Sequence, residues 1–325
     1  MIRFVSLKSA MIAAAAACTL SSAAQAQDKV KMGLFISSSA MPYFIAVERG
    51  YFKAEKLEVE GVPLATHPLI IQGMVKGDLD TASNLLSLEG ANMNALRPGT
   101  VNYFSINCQN TKYQVESFMV SAKNTSIKSL RDLKGQRIMV APGPGNLFVA
   151  RGVLKAIGFE EGRDYTMQEQ PMAQHIPGLQ SGQFESAYTL EPVVSMLEHR
   201  KIARKIEAGV IATHMLGRSD ACAVLAGGAM SDRFLRERPA VAARFARAWA
   251  KALADGNNDP KTRDLLAKHM NTAPEIAATV PLSYYYMVRD LSPAQVADFQ
   301  KLVDMATQAG LVKSKIDVKT FLKSF

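Results

Sequence analysis

Two periodicities take turns along this chain. Residues 30–36 form a short apolar run of strand character that meets Ser37, Ser38 and Ser39. A helix follows at once over 41–50, with Pro42 in its first turn, and a second strand occupies 57–62. Pro68 opens the next helix; Leu69, Ile70, Met74 and Val75 make its apolar face, and Gly77 ends it. The same rhythm predicts a strand over 78–82, polar Ser83 and Asn84, a helix up to 96, a turn at 97–99 and a strand over 101–108. A second unit repeats the order. It has strands at 118–121, 136–141, 165–170 and 184–188, a capped helical turn over 126–133, and a helix over 147–157 with Asn146 as its cap. A short helix stops at Gly182, and Glu191 with Pro192 opens another. One strand returns at 221–226. Helices are predicted over 232–255, 261–270, 274–280, 293–309 and 319–325, punctuated by Pro260, Pro274, Pro281 and Pro293. This alternation predicts an α/β fold with parallel sheets.

Ahead of the first strand the pattern is different. Arg3 and Lys8 make a basic start, residues 9–20 are small and apolar, and Ala24, Gln25 and Ala26 form a small-x-small cleavage site. Residues 1–26 therefore read as a signal peptide, too short to stay as a membrane anchor. Cys18 offers a rival reading, a lipid-anchored cysteine, but alanines precede it and a good cleavage site follows. Removal of the leader leaves 299 residues (325 less 26), which suits two domains rather than one core. The net charge of +9 falls to +7 once Arg3 and Lys8 leave. Its densest cluster, His199, Arg200, Lys201, Arg204 and Lys205, reads as the solvated face of a charged helix. No nucleic-acid motif is present, so no nucleic acid partner is expected; mild basicity does suit small anions. Cys108 and Cys222 match no metal or redox spacing. An exported chain permits a disulfide, but they are read here as two buried free thiols.

Candidate chemistry gathers where strands end. Ser37, Ser38 and Ser39 sit on a strand-to-helix turn, where free backbone N–H groups and the helix dipole favour an anion or a polar ligand. Capping that helix needs only one of the three. Thr66 and His67 follow the second strand, and Ser83 and Asn84 end the third. Gly143, Gly145 and Asn146 can present N–H groups at a second helix start. They lack both the phosphate-loop lysine and the dinucleotide glycine spacing. Gln174, His175, Thr189 and Glu191 are further candidates, with Glu191 equally readable as an architectural helix start. Tyr284, Tyr285 and Tyr286 read as packing. No arginine lies in these loops, so a bidentate anion clamp is not expected, and a neutral aromatic ligand stays open beside an anion. The five histidines have no metal spacing and no Gly-x-Ser-x-Gly elbow is present. No catalytic residue, metal or cofactor is expected, and an exported hydrolase is the remaining enzyme alternative.

Four phrases in order carry a family resemblance over almost the whole mature chain. They are Pro42-Tyr-Phe-Ile-Ala-Val-Glu-Arg-Gly-Tyr-Phe52; Gly77-Asp-Leu-Asp80; Ser126-Ile-Lys-Ser-Leu-Arg-Asp-Leu-Lys-Gly-Gln-Arg-Ile138; and Leu179-Gln-Ser-Gly-Gln-Phe-Glu-Ser-Ala187 with Glu191 and Pro192. The chain resembles the solute-binding proteins of ABC importers, in the subgroup of nitrate, aliphatic-sulfonate, taurine and thiamine-precursor binders. Glu185 departs mildly from that pattern, which usually has aspartate there. The resemblance implies a two-lobed, type II periplasmic binding protein fold with two hinge crossings. Lobe I would be 27–120 plus 218–325, and lobe II 121–217. It also implies a periplasmic monomer that hands a small-molecule ligand to an inner-membrane ABC permease with its ATPase. A receptor lobe that senses its ligand for a membrane partner is the neighbouring alternative.

Overall fold

The computed structural model describes residues 27–325, and the leader expected over 1–26 lies outside them. The chain builds β1 (Asp28–Leu34), β2 (Leu57–Pro63), β3 (Thr81–Leu86), β4 (Val101–Tyr103) and β5 (Ser105–Gln109), then crosses to a second sheet. There it lays down β6 (Glu116–Ser121), β7 (Arg137–Val140), β8 (Thr166–Glu169), β9 (Ser186–Leu190) and β10 (Ala203–Ala208). It then crosses back to add β11 (Ala223–Ser231) and β12 (Tyr284–Met287) to the first sheet. The first sheet runs β12-β5-β11-β3-β1-β2, with β4 also paired to β11; the second runs β10-β6-β9-β7-β8. Within each, three parallel strands joined by helices meet one antiparallel strand that has just arrived from the other sheet, β11 or β6. This is the two-lobed α/β fold with two crossings that the sequence predicts.

Local departures have physical causes. The third strand runs Thr81–Leu86 instead of 78–82, so Ser83 and Asn84 lie inside it. All six of its residues are buried, which erases the alternation that marks a half-exposed strand. The predicted strand at 101–108 breaks at Phe104, whose N–H turns to the Gly228 carbonyl (3.0 Å). The charged cluster is not one helix. The helix Val193–His199 stops, Lys201 takes a left-handed φ of 54°, and Arg204 and Lys205 sit on β10. β10 is an edge strand, where charged side chains discourage pairing with another chain. The tyrosine triplet also forms an edge strand, β12. The long C-terminal helix divides into Asp232–Glu237 and Pro239–Asn258, because Pro239 has no N–H to continue the ladder. Only the short 3-10 turn Val318–Phe321 forms where a last helix is predicted.

The free-thiol expectation is corrected. Cys108 and Cys222 form a disulfide, with Cα atoms 5.0 Å apart. β5 and β11 are antiparallel neighbours with Cys108 opposite Val224, and this register brings Cys222 alongside. Two residues that are 114 apart in sequence thus join where the chain leaves the first sheet and where it returns.

The helix Pro239–Asn258 carries Phe245 and Trp249 into the core beneath β1, against Phe104. The Trp249 indole N–H donates to Ser105 Oγ (2.9 Å), which ties this helix to β5. Among the described residues no helix is long and apolar enough to cross a membrane.

Candidate functional site

The serine turn is built around Asn84. Its Nδ2 donates to the Phe35 carbonyl (2.8 Å) and to Ser39 Oγ (2.9 Å), while its Oδ1 accepts the Phe35 N–H (3.2 Å) and the Ser83 hydroxyl (2.7 Å). Asn84 thereby replaces the missing ladder partner at the end of β1, where the backbone must leave the sheet. Ser37 and Ser39 are hydroxyl to hydroxyl at 2.7 Å. Asn107 Nδ2 and the Tyr285 hydroxyl donate to the Ser39 and Ser38 carbonyls at 3.1 and 3.3 Å. The turn is therefore held from β3, β5 and β12 at once.

The opposite wall comes from the second sheet. Ser38 N–H donates to the Glu191 carbonyl (2.9 Å), a direct bond between the two halves. Between them lies a cavity of about 30 Å³, room for a group the size of one or two water molecules. Ser37, Ser39, His67 and Asn84 line it from one side, and Asn146 reaches it from the other. Sequence reasoning missed Asn107, Gln109 and Ser283, which also line it. A signal for the first two exists: Ser105, Asn107 and Gln109 place polar groups at every second residue of an otherwise apolar strand. Phe35, Leu86, Leu190 and Leu225 supply the apolar walls, and no Asp, Glu, Lys or Arg is among the lining residues.

The remaining candidates lie elsewhere. Thr66 is half-buried outside the cavity, Ser83 is turned to Asn84, and Gln174 is exposed. Thr189 spends its hydroxyl on His175 Nδ1 (2.7 Å). Glu191 caps the following turn through Oε2 and Ser195 N–H (3.0 Å), leaving Oε1 buried without a partner. Gly143 and Gly145 aim their N–H groups at the chain's own carboxyl groups: Gly143 at Glu169 Oε2 (3.3 Å) and Gly145 at Glu89 Oε1 (3.0 Å). Asn146 is fixed by donation from Nδ2 to the Pro142 carbonyl (2.8 Å), so its Oδ1, buried and unpaired, is the atom left for a partner. Gln109 Nε2 is likewise buried and unpaired. No cluster of three or more His, Cys, Asp or Glu side chains among the described residues could hold a metal ion.

Burial pushes the His67 imidazole down to about 3. Its ring packs 4.4 Å from that of Phe35, and Nδ1 accepts the Leu86 N–H (3.4 Å), which leaves the proton on Nε2. His175 is pushed down to about 4, again mainly by burial. A histidine held neutral in the fold gains its proton on unfolding, so stability falls as pH drops through the ordinary histidine range. Lowering the pH from 7 to 5 is expected to cost roughly 2 kcal/mol through His67. The buried carboxyls of Glu116 and Glu191, raised to about 7, act in the opposite sense, gaining stability over the same range. The readout is therefore a comparison of urea denaturation for the wild type and His67→Phe at both pH values. Identical pH responses would remove His67 from this role.

A family model described as NMT1/THI5 like matches residues 37–263. No curated protein sequence matches the chain. Among solved structures, the alkanesulfonate-binding protein SsuA from Xanthomonas axonopodis pv. citri, bound to MOPS, superposes with a TM-score of 0.73 at 16% identity, over 91% of this chain and 98% of that one. The periplasmic aliphatic sulphonate binding protein SsuA from Escherichia coli gives 0.71 at 15% identity, over 91% and 92%. The periplasmic nitrate-binding protein NrtA from Synechocystis PCC 6803 gives 0.71 at 15% identity, over 90% and 84%. Likenesses at these identities establish a shared fold.

Proposed function

Because this chain belongs to the NMT1/THI5-like family, we propose that it captures a small solute between its two lobes and delivers it to an ABC permease. We read the lobes as 27–115 with 218–325, and as 116–217, moving the first boundary from 120 to ahead of β6 because the sheets change over at 110–115 and 209–222. The observation that carries the reading is the cavity between the sheets, with Ser37, Ser39 and Asn84 on one wall and Asn146 on the other. Solutes bound this way are gripped by closure about the two crossings. The cavity is smaller than an organic solute, so loading requires the walls to part. No covalent chemistry is assigned to the site. The protein would work as a periplasmic monomer with an inner-membrane permease and its ATPase as partners.

An anion of the sulfonate, nitrate or carboxylate class is the first ligand reading. It rests on the hydroxyls, the helix start behind Ser37–Ser39, and the ligands named for the structural neighbours. A second reading has its own support. Asn146 Oδ1 asks for a hydrogen-bond donor, and Gln109 Nε2 offers one. A fully ionised sulfonate or nitrate has no donor to give, whereas a neutral heterocycle with an N–H beside a carbonyl or ring nitrogen answers both groups.

A thermal-shift screen of sulfonates, nitrate, aromatic carboxylates and pyrimidines separates the readings. A solute at a hundred times its Kd should stabilise the fold by about 2.7 kcal/mol. Asn146→Leu is then expected to weaken a donor-bearing ligand roughly tenfold while sparing a donor-free anion. Failure of every class to shift the melting temperature would refute solute capture as written.

A further inference from the structure

The helix Pro144–Ala156 follows β7 of the second sheet, and its first turn faces the other lobe. Glu89 meets it there, carried by the helix Ser87–Leu96 that follows β3. Glu89 Oε1 accepts the Gly145 N–H at 3.0 Å; Oε2 is buried and has no partner. The side of that turn nearer β8 is taken by Glu169, which accepts the Gly143 N–H at 3.3 Å. Glu89 is only 7% exposed. A Cβ at Gly145 would lie 2.6 Å from Glu89 Oε2, so the glycine is what lets the carboxyl seat against the backbone. A side chain of one lobe thus fills the helix start of the other, outside the solute cavity.

We propose that Glu89 is a proton-linked latch between the lobes, which seats on the Gly143–Gly145 turn and holds the closed form together without solute. Closure carries this carboxyl from water into a buried position, and burial is the main reason that its pKa rises to about 7. The Gly145 N–H opposes that rise, and the charge of Glu169 on β8 adds to it. Tyr103 on β4 is the other titratable group beside it; its hydroxyl is neutral and donates to the Leu86 carbonyl at 2.7 Å. The adjacent helix His67–Lys76 presents Pro68, Ile71, Gln72 and Val75 on this side, together with Met93 and Asn92 of the latch helix. A group whose pKa is higher in the closed form takes up a proton on closing, so closure strengthens as pH falls. His67 in the solute cavity works against this below its ordinary pKa, because opening lets it ionise.

Small-angle X-ray scattering of the mature chain without solute reads the open and closed fractions from the radius of gyration. Comparison with Glu89→Gln cancels the His67 contribution. Between pH 8 and pH 6 the closed-to-open ratio of the wild type, relative to that of Glu89→Gln, is expected to rise about tenfold. Gly145→Ala should open the protein at pH 6, since its methyl occupies the latch position; circular dichroism checks that both variants are folded. A wild type that stays open at both pH values, or a Glu89→Gln profile that follows the wild type within twofold, overturns the latch. The latch rests on the closure reading, but its test contains no solute. Its failure would leave solute capture standing, and an empty ligand screen would leave the latch standing.

Discussion

Asn84→Leu is expected to cost the fold roughly 3 kcal/mol or more and to abolish solute capture. Leucine keeps the branched, four-heavy-atom shape, though it is bulkier, and cannot hydrogen-bond. The Phe35 N–H and carbonyl and the Ser83 hydroxyl lose their partner, and Ser39 Oγ loses one of its two, keeping Ser37 Oγ. Phe35 and Asn84 are buried, so water cannot take over. Each stranded backbone group carries about 1–3 kcal/mol of desolvation penalty. The affinity effect follows from geometry: without Asn84, Ser39 Oγ keeps only the hydroxyl of Ser37, itself part of the cavity wall, as a partner. Ser83→Ala is the control, because it removes one hydroxyl and leaves the Phe35 pairing intact. Urea titration of both variants decides the matter; a loss under about 1 kcal/mol for Asn84→Leu would mean that the turn is held chiefly by Asn107 and Tyr285.

The second large effect is expected from the disulfide. Cys108→Ser together with Cys222→Ser should lower stability by about 2–5 kcal/mol, the range for opening a long covalent loop. Cys108 lies between Asn107 and Gln109, both in the cavity wall. Loss of the bridge should therefore weaken solute binding as well as folding, and reduction of the wild type should reproduce both changes. A double variant that melts like the wild type but binds tenfold more weakly would assign the bridge to the site and not to the fold.

Much of this architecture is legible in the chain itself. The Ser37–Ser39 turn, the helix start at Pro42 and the two repeated strand–helix units each follow from local patterns that tertiary packing leaves intact. His67, Asn84 and Asn146 are legible because strand ends and helix starts are where side chains can face a cleft. Other features are hidden for physical reasons. Complete burial of Thr81–Leu86 removes the alternation by which a strand end is read, so Ser83 and Asn84 shift by position but not by neighbourhood. Edge strands β10 and β12 carry charge and aromatic surface that imitate a helix face and a packing cluster. The glycines at 143 and 145 present N–H groups as the sequence suggests, yet those groups face Glu169 and Glu89, and no local pattern reveals a partner 56 residues away. The disulfide is equally non-local: only the β5–β11 register makes the cysteines neighbours.

The position of β11 has a consequence for how the protein is made. β6 to β10 come from one unbroken stretch, and the second sheet is complete in sequence once Ala208 has been synthesised. The first sheet is different, because the strand between β3 and β5 is β11, which does not exist until Ser231. On a chain that emerges amino end first, β1, β2 and β3 must therefore wait through more than a hundred residues with the centre of their sheet unfilled. The half that leads the chain out of the ribosome is the half whose sheet is completed last.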